Sequence, residues 1–397
     1  MLKSLRRDKT PLYLIGGMLL LWALLHALIG GSFWGPTFYN TYTRQALAWR
    51  QGLLHLPEDV SYLELAVYEG EYYVSFPAVP SVVLWPLTFL FGMDTPDNQL
   101  VKLYALGACL LLYEALKRAG YETRMAAIFS FLLTFSSSLL PLTLNGAVWY
   151  HAQTLGFFFT VAAVCLFTMD HPTLALLCFA LSVGCRPFDA LYALPLFFTY
   201  WIICRRAETS LRQTVRPLLP GIGLGLCVAA ALGIYNYIRF GNVLEFGHNY
   251  LPEFSTQGGI QFSISHVGNH LKTFLWGTPL YKAEGGLKFR TFGYSMLLAC
   301  PTLLLMLIWA AIDCVKGRMR WEKAVILFTC LVHAFFLLWH RTFGGFQLGA
   351  RYAVDLVPYT YFYLLLTPEK KKAAWPEIAF LAAALVFTCI GVTKVHI

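Results

Sequence analysis

Apolar residues in this chain gather in long uninterrupted runs, not in the alternation of half-buried strands. Stretches of about 17–25 apolar residues recur, the length that carries a helix across a bilayer core. Continuous runs argue against barrel strands, which alternate. Backbone in lipid must satisfy its own hydrogen bonds, so each run reads as a helix. The runs cover residues 11–31, 99–116, 125–143, 149–168, 172–185, 188–204, 217–237, 293–314, 323–339, 352–367 and 376–393. These are eleven predicted spans. A further piece, 79–92, is short, opens on Pro77 and Pro80 and contains Pro86. It reads as a re-entrant or interfacial helix that does not cross. The expected fold is all-α, a polytopic transmembrane helical bundle forming a single domain over 1–397.

Composition agrees with this pattern. Hydrophobic residues make up 58% and charged residues 13%, against roughly a quarter charged in soluble domains. The net charge of +9 sits mostly in short loops, where the positive-inside rule explains it without nucleic acid. The basic clusters are Lys3/Arg6/Arg7/Lys9, Lys117/Arg118/Arg124, Arg205/Arg206/Arg212/Arg216, Lys316/Arg318/Arg320/Lys323 and Lys370/Lys371/Lys372. Each is expected on the cytoplasmic side, with the N-terminus cytoplasmic and an even number of crossings between successive clusters. That parity is what keeps 79–92 from crossing. The opening MLKSLRRDKT and the run after it read as a retained span, lacking the short core and cleavage site of a signal peptide. All ten cysteines fall inside apolar runs and read as small packing residues, not as a disulfide framework.

Two long segments remain outside, 32–98 and 238–292, and these are expected to form the active-site face. Within the first, residues 42–54 show an amphipathic pattern with Arg44, Trp49 and Arg50, as in a helix lying on a membrane surface. Glu58, Asp59, Glu64, Glu69 and Glu71 follow. Such carboxylates serve as general bases where burial raises their affinity for protons, or are simply a solvated acidic loop. In ISHVGNH, His266 and His270 stand four apart, a spacing open to zinc if His248 or Glu245 comes close, and equally to surface or packing histidines. His151, beside Trp149 and Tyr150, reads as an interface anchor. No Walker or Rossmann fingerprint is present in a strand–helix context.

The run ELAVYEGEYYVSFPAVPSVVLWPL resembles the first periplasmic loop of bacterial GT-C glycosyltransferases. It carries an acidic residue (Glu64), a Tyr-x-Gly-x-Tyr-Tyr element (Tyr68 to Tyr73), then prolines from Pro77 to Pro86. Three later stretches resemble the same superfamily, in the same order. VGCRPFDALYALP (183–195) matches a small-x-x-Arg-Pro break. NYIRFGNVLEFGHNY (236–250) matches an Arg-Phe-Gly exit from a span. FGGFQLGARYAVDLVPY (343–359) matches a Gly-x-Arg-Tyr-x-x-Asp-x-x-Pro start of a late span. The pattern is similar to that of enzymes of the protein O-mannosyltransferase and aminoarabinose transferase type. One departure stands out: Asn40 occupies the region soon after the first span where many members carry an acidic residue.

The resemblance implies an enzyme of the cytoplasmic membrane that takes a sugar from a polyprenyl-phosphate-linked donor. The acceptor would be a glycan, lipid or protein at the outer face, and the anomeric carbon would be inverted. The base would then be Glu64, with Glu69 and Asp59 after it. Cations would steady the departing phosphate, an arginine fork suiting its oxygens best. Arg351 and Arg186 lead, followed by Lys282, Lys288 and Arg290, among outside cations that also include Arg239, Lys272 and Arg341. Asp355, one helical turn beyond Arg351, is expected to orient it or simply to pair with it; Tyr72 and Tyr73 are the other orienting residues. No metal ligand set is identified, and a divalent metal stays possible. The alternative is a transporter or flippase of lipid-linked glycans, which would instead place charges near the bilayer midplane in paired halves.

Overall fold

The computed structural model describes residues 8–257, 259–342, 344–367 and 375–395. Its longer helices are α1 (Thr10–Ile29), α2 (Thr41–Arg50), α3 (Val79–Phe91), α4 (Asp97–Arg118), α5 (Thr123–Phe135), α6 (Val148–Thr168) and α7 (Pro172–Val183), then α8 (Ala193–Arg206), α9 (Leu219–Phe240), α10 (Ile264–Trp276), α11 (Pro301–Val315), α12 (Trp321–Trp339), α13 (Val357–Leu365) and α14 (Trp375–Val395). Each of the eleven apolar runs contains helix. Among the described residues, seven helices are long and apolar enough to cross a bilayer; α3, α5, α7 and α11 are apolar but shorter.

The way α1 forms and packs shows how the sequence works. Pro11 sits in its first turn, where a missing N–H costs nothing, and Gly30 ends it in a left-handed conformation with its N–H on His26 O. Leu14, Met18, Trp22 and Leu25 recur at helical spacing and are buried, whereas Leu12, Leu20, Leu24 and Leu28 point outward. The buried stripe meets the bundle and the outward face suits lipid. The Trp22 indole donates to Thr143 Oγ1 at 2.9 Å, which settles its one buried polar atom. The most buried span is α6, packed against α4, α7 and α13. At the periphery α9 buries little. It reaches α7 through Gly221, where a β-carbon would stand 2.9 Å from Leu176 Cβ, a close approach that small residues permit between spans.

Described residues of the first four basic clusters meet at one end of the bundle. Lys117 pairs with Asp8, Arg206 and Arg320 both pair with Glu322, and the Tyr121 hydroxyl donates to the carbonyls of Leu364 and Thr367. This is the arrangement that crossing parity requires. Lys3, Arg6, Arg7 and Lys370 to Lys372 lie outside the described residues. All ten cysteines are free thiols.

The opposite end is less purely helical than expected. Leu65–Tyr68 (β1) and Glu71–Val74 (β2) form an antiparallel hairpin in which Tyr68 pairs with Glu71. Its two-residue turn has positive φ at Glu69 and Gly70, the geometry that matches strand twist. A second hairpin joins Leu280–Ala283 (β3) to Gly286–Phe289 (β4). Helix α2 is shorter than the 42–54 pattern and is half sunk into the protein. Gln45 accepts from Ser81 on α3 at 2.6 Å, and the Trp49 indole donates to the Tyr235 hydroxyl on α9 at 3.1 Å.

Candidate active site

Three connected hollows open at this end. The first, about 410 Å³, is walled mainly by apolar groups, among them Pro187, Phe188, Leu244, Phe246 and Leu337. The second, about 520 Å³, is more polar and includes Tyr39, Glu64, Asn145, Tyr150 and Glu253. They share Phe76, Trp149, His248, His340, Arg351 and Tyr352. An outer vestibule of about 550 Å³ carries Asp59 and Tyr72 and meets the second hollow at Glu64 and Glu253.

Arg351 stands where the first two hollows join. It begins the 3₁₀ turn Arg351–Leu356 that leads into α13. Its residue is 6% exposed, yet no carboxylate pairs with its guanidinium among the described residues. That group has Tyr352 OH at 3.3 Å from Nη2 and faces the Tyr352 and Tyr150 rings at 4.9 and 5.9 Å. Nε has no hydrogen-bond partner. A buried charge without a charged partner is costly. Gly344 lies over this guanidinium, a β-carbon there coming within 2.6 Å of Nε, and its φ of +110° is a backbone conformation that favours glycine.

Asp355 does not orient Arg351. It bonds Arg186 instead, accepting from Nε at 3.0 Å and from Nη2 at 2.7 Å. The expected i,i+4 pairing assumed an α-helix. In a 3₁₀ turn, with three residues per turn, positions four apart point about 120° away from each other. Gln153 on α6 donates to both Asp355 Oδ1 and Arg351 O, so it ties the two residues together without ion pairing. Arg186 crosses α6 at Gly156, where a β-carbon would meet its Cγ at 2.8 Å. Its guanidinium faces the Tyr352 ring at 5.1 Å. One tyrosine therefore touches both arginines, one charge-paired and one not.

The carboxylates separate by position. Glu64 lies at the rim, with its Oε2 accepting from the Trp149 indole at 2.8 Å, and it lines the same hollow as Arg351. Asp59 lines only the outer vestibule, and Glu69 lies exposed at the hairpin tip. Tyr72 reaches the vestibule, while Tyr73 packs on Phe240. Lys282, Lys288 and Arg290 are exposed on and just after the second hairpin and line none of the three hollows. Arg239 is buried against the Tyr235 and Phe240 rings and donates to Val74 O and Asn236.

Histidines sort differently from the sequence reading. His151 is no interface anchor. It is buried in α6, with Nε2 3.2 Å from Tyr104 OH and Nδ1 3.8 Å from Asp97, because α6 is the most enclosed span. His266 and His270 share one face of α10 but meet the carbonyls of Ile260 and Leu338. Glu245 is taken by the Gly247 N–H and by Asn249. Among the described residues no three His, Cys, Asp or Glu side chains converge as metal ligands. Two histidines do reach the site: His248, which the sequence offers only as a conditional zinc partner, and His340, which no motif marks. Their rings lie 6.3 Å apart. Burial lowers the pKa of both, that of His340 to about 4, so both are neutral at pH 7.

No protein-family model and no curated protein matches the sequence. Solved structures do match the fold. The oligosaccharyltransferase AglB of Archaeoglobus fulgidus aligns over 99% of this chain and 56% of its own, at 12% identity and a TM-score of 0.54. A structure of the same enzyme with an inhibitory peptide and a dolichol-phosphate gives 97% and 55%, 12% identity and 0.51. ArnT of Cupriavidus metallidurans, bound to undecaprenyl phosphate, gives 95% and 63%, 14% identity and 0.52. The chain therefore spans somewhat over half the length of these neighbours. Both neighbours belong to the GT-C superfamily, and the fold of this chain is GT-C-like, helical with seven candidate spans.

Proposed function

We propose that this protein is a glycosyltransferase that moves a sugar from a lipid-phosphate-linked donor to an acceptor at the outer face of the cytoplasmic membrane, with its N-terminus cytoplasmic. The observation that carries the reading is Arg351, a buried guanidinium without a counter-charge, set between an apolar hollow and a polar one. Polyprenyl phosphates have matching chemistry, an apolar chain ending in an anion. The GT-C neighbours support the choice, since the solved ArnT holds undecaprenyl phosphate and the solved AglB holds a dolichol-phosphate.

In this reading the lipid chain lies in the apolar hollow and the phosphate sits on Arg351. The sugar projects toward Tyr39, Trp149 and Glu64, and the acceptor arrives through the vestibule. An acceptor hydroxyl attacks the anomeric carbon from the side opposite the phosphate, which inverts that carbon. Glu64 takes the hydroxyl proton, and the bond to the phosphate oxygen breaks with its electron pair going to that oxygen. Arg351 stabilises the charge that grows there, an interaction stronger in the transition state than before it. Trp149 holds the Glu64 carboxylate by one of its oxygens.

The test is turnover. Purified full-length protein in nanodiscs is given a panel of undecaprenyl-phosphate-linked sugars with glycan, lipid and peptide acceptors. Release of undecaprenyl phosphate is followed by mass spectrometry. Release that depends on acceptor and on Arg351 supports the proposal; movement of the lipid between leaflets with no release defeats it in favour of a flippase.

A further inference from the structure

We propose that the second hairpin, β3–β4, is a binding site for anionic phospholipids. Its cations take lipid phosphates in the leaflet on the side of the hollows, while Leu287 enters the acyl chains beside α14. Lys282, Lys288 and Arg290 line none of the three hollows, and the transfer described above does not use them. The proposal needs only that α14 spans the bilayer, not that the protein transfers sugar.

The pairing register sorts the hairpin into two faces. Leu280 pairs with Phe289, Tyr281 with Lys288 and Lys282 with Leu287. Side chains alternate along a strand, so Leu280, Lys282, Leu287 and Phe289 share one face. Tyr281 and Lys288 share the other, where the Arg290 guanidinium stands 5.3 Å from the Tyr281 ring. The first face is seated on α14. The Phe289 ring lies 5.5 Å from that of Phe387, and at Gly391, one turn on, a β-carbon would stand 3.3 Å from Phe289 Cε1. Helix α14 is long and apolar enough to cross a bilayer and is little buried. Next to these contacts in sequence it exposes Val386 and Ile390, so the hairpin leans on a lipid-facing surface. Leu287, on the same face as Phe289, is 71% exposed. A two-stranded ribbon on its own is marginal in water, and acyl chains supply the apolar cover this face lacks. Trp276, 77% exposed at the end of α10 just before the hairpin, has the placement of an interface tryptophan.

Charge decides which lipid is taken. Three cations, Lys282, Lys288 and Arg290, stand against one carboxylate, Glu284 at the turn, and all four residues are exposed. Among the described residues none of the three cations is in an ion pair. Lys282 lies directly across from Leu287, so insertion of the leucine brings the ammonium to phosphate depth, its methylenes lying along apolar surface. A surplus of positive charge there favours anionic over zwitterionic phospholipids. Free phosphate offers nothing to the apolar face, which is why the ligand is a lipid.

A photo-crosslinker reads this position directly. Full-length protein with benzoylphenylalanine in place of Leu287 is placed in nanodiscs of phosphatidylcholine mixed with phosphatidylglycerol, and irradiated adducts are identified by mass spectrometry. The expected result is lipid adducts at position 287 in which phosphatidylglycerol exceeds its share of the bilayer by about fivefold or more, less so at high salt. Adding Lys282→Gln/Lys288→Gln/Arg290→Gln returns the adducts to bilayer proportion, while an unchanged unfolding transition in mixed micelles shows that this variant is folded. Adducts in bilayer proportion in the unaltered background, or a preference that the triple variant keeps, overturn the anionic site. Adducts to protein alone overturn the insertion and make the hairpin a contact between copies of the chain. Both failures leave the glycosyltransferase reading standing, since release of undecaprenyl phosphate tests that separately.

Discussion

Asp355→Asn is the most discriminating single change. Asparagine keeps the shape and one carbonyl acceptor but removes the charge that Arg186 meets at 2.7 and 3.0 Å. Asp355 is buried, and the Arg186 side chain is 22% exposed, so water offers only partial compensation. Breaking a buried ion pair from one side costs about 3–5 kcal/mol; allowing for the partial exposure of Arg186, about 2–3 kcal/mol of stability should be lost. Reversible unfolding in mixed micelles, with denaturing detergent titrated against a mild one, measures it. The double variant Arg186→Gln/Asp355→Asn should recover part of the loss, since it leaves no lone charge behind. The same single substitution has an opposite effect on binding. It frees a second guanidinium beside Arg351, so affinity for undecaprenyl diphosphate should rise relative to the monophosphate. A stability loss below about 0.5 kcal/mol, the size of an ordinary surface change, together with unchanged lipid preference, would refute the account of this pair.

Other outcomes follow from the same geometry. Arg351→Lys should bind undecaprenyl phosphate weakly and turn over slowly although it keeps the charge, because an ammonium lacks the planar fork; wild-type kinetics would make the fork irrelevant. Glu64→Gln should lower turnover by about 10²-fold or more, as expected for loss of a general base, with lipid binding largely intact, whereas Glu69→Gln at the hairpin tip should stay near wild type; the reverse order would move the base to the hairpin. His340 has a folded-state pKa of about 4, below its unfolded value. The unfolded chain therefore takes up the proton first, and stability should fall as pH drops from about 6.5 toward 4. His340→Gln should flatten that part of a pH-dependent unfolding curve, and an unchanged curve would show that the imidazole is not held neutral.

Much of the fold could be read from the chain, because bilayer physics imposes long apolar runs and basic clusters that share a side. Leu14, Met18, Trp22 and Leu25 already mark the buried stripe of α1. The hairpin at 65–74 escaped although ELAVYEGEYYV contains the Glu-Gly turn pair between alternating residues; the neighbouring apolar runs overwhelmed this weaker period-two signal. Arg351 was legible as a candidate because the stretch 343–359 resembles the GT-C pattern around an arginine. Its partner was misassigned since four-residue spacing was taken as α-helical where the chain forms a 3₁₀ turn. The Arg186–Asp355 pair joins residues 169 positions apart, and no local pattern carries such a contact. His340 ends an apolar run in LLWHRT, a position where a histidine commonly reads as an interface residue. Only the approach of His248 and Phe262, distant in sequence, brings it into the lining of the hollow.

The first hairpin and the second outside segment are stapled by rings. Tyr68 lies 4.6 Å from Tyr250 and 5.5 Å from Phe240, and Tyr73 lies 5.1 Å from Phe240. Loops more than 160 residues apart in sequence, with several spans between them, are thus expected to open as one cooperative unit in the sense that hydrogen exchange detects. Their amides should lose protection together, with one common free energy, whichever loop is perturbed. The width of the acidic vestibule then behaves as a single variable. Breathing that parts Leu65 and Tyr72 should also loosen Leu251 and Pro252 on the other wall, so under the proposed function acceptor entry would depend on this tyrosine–phenylalanine clasp.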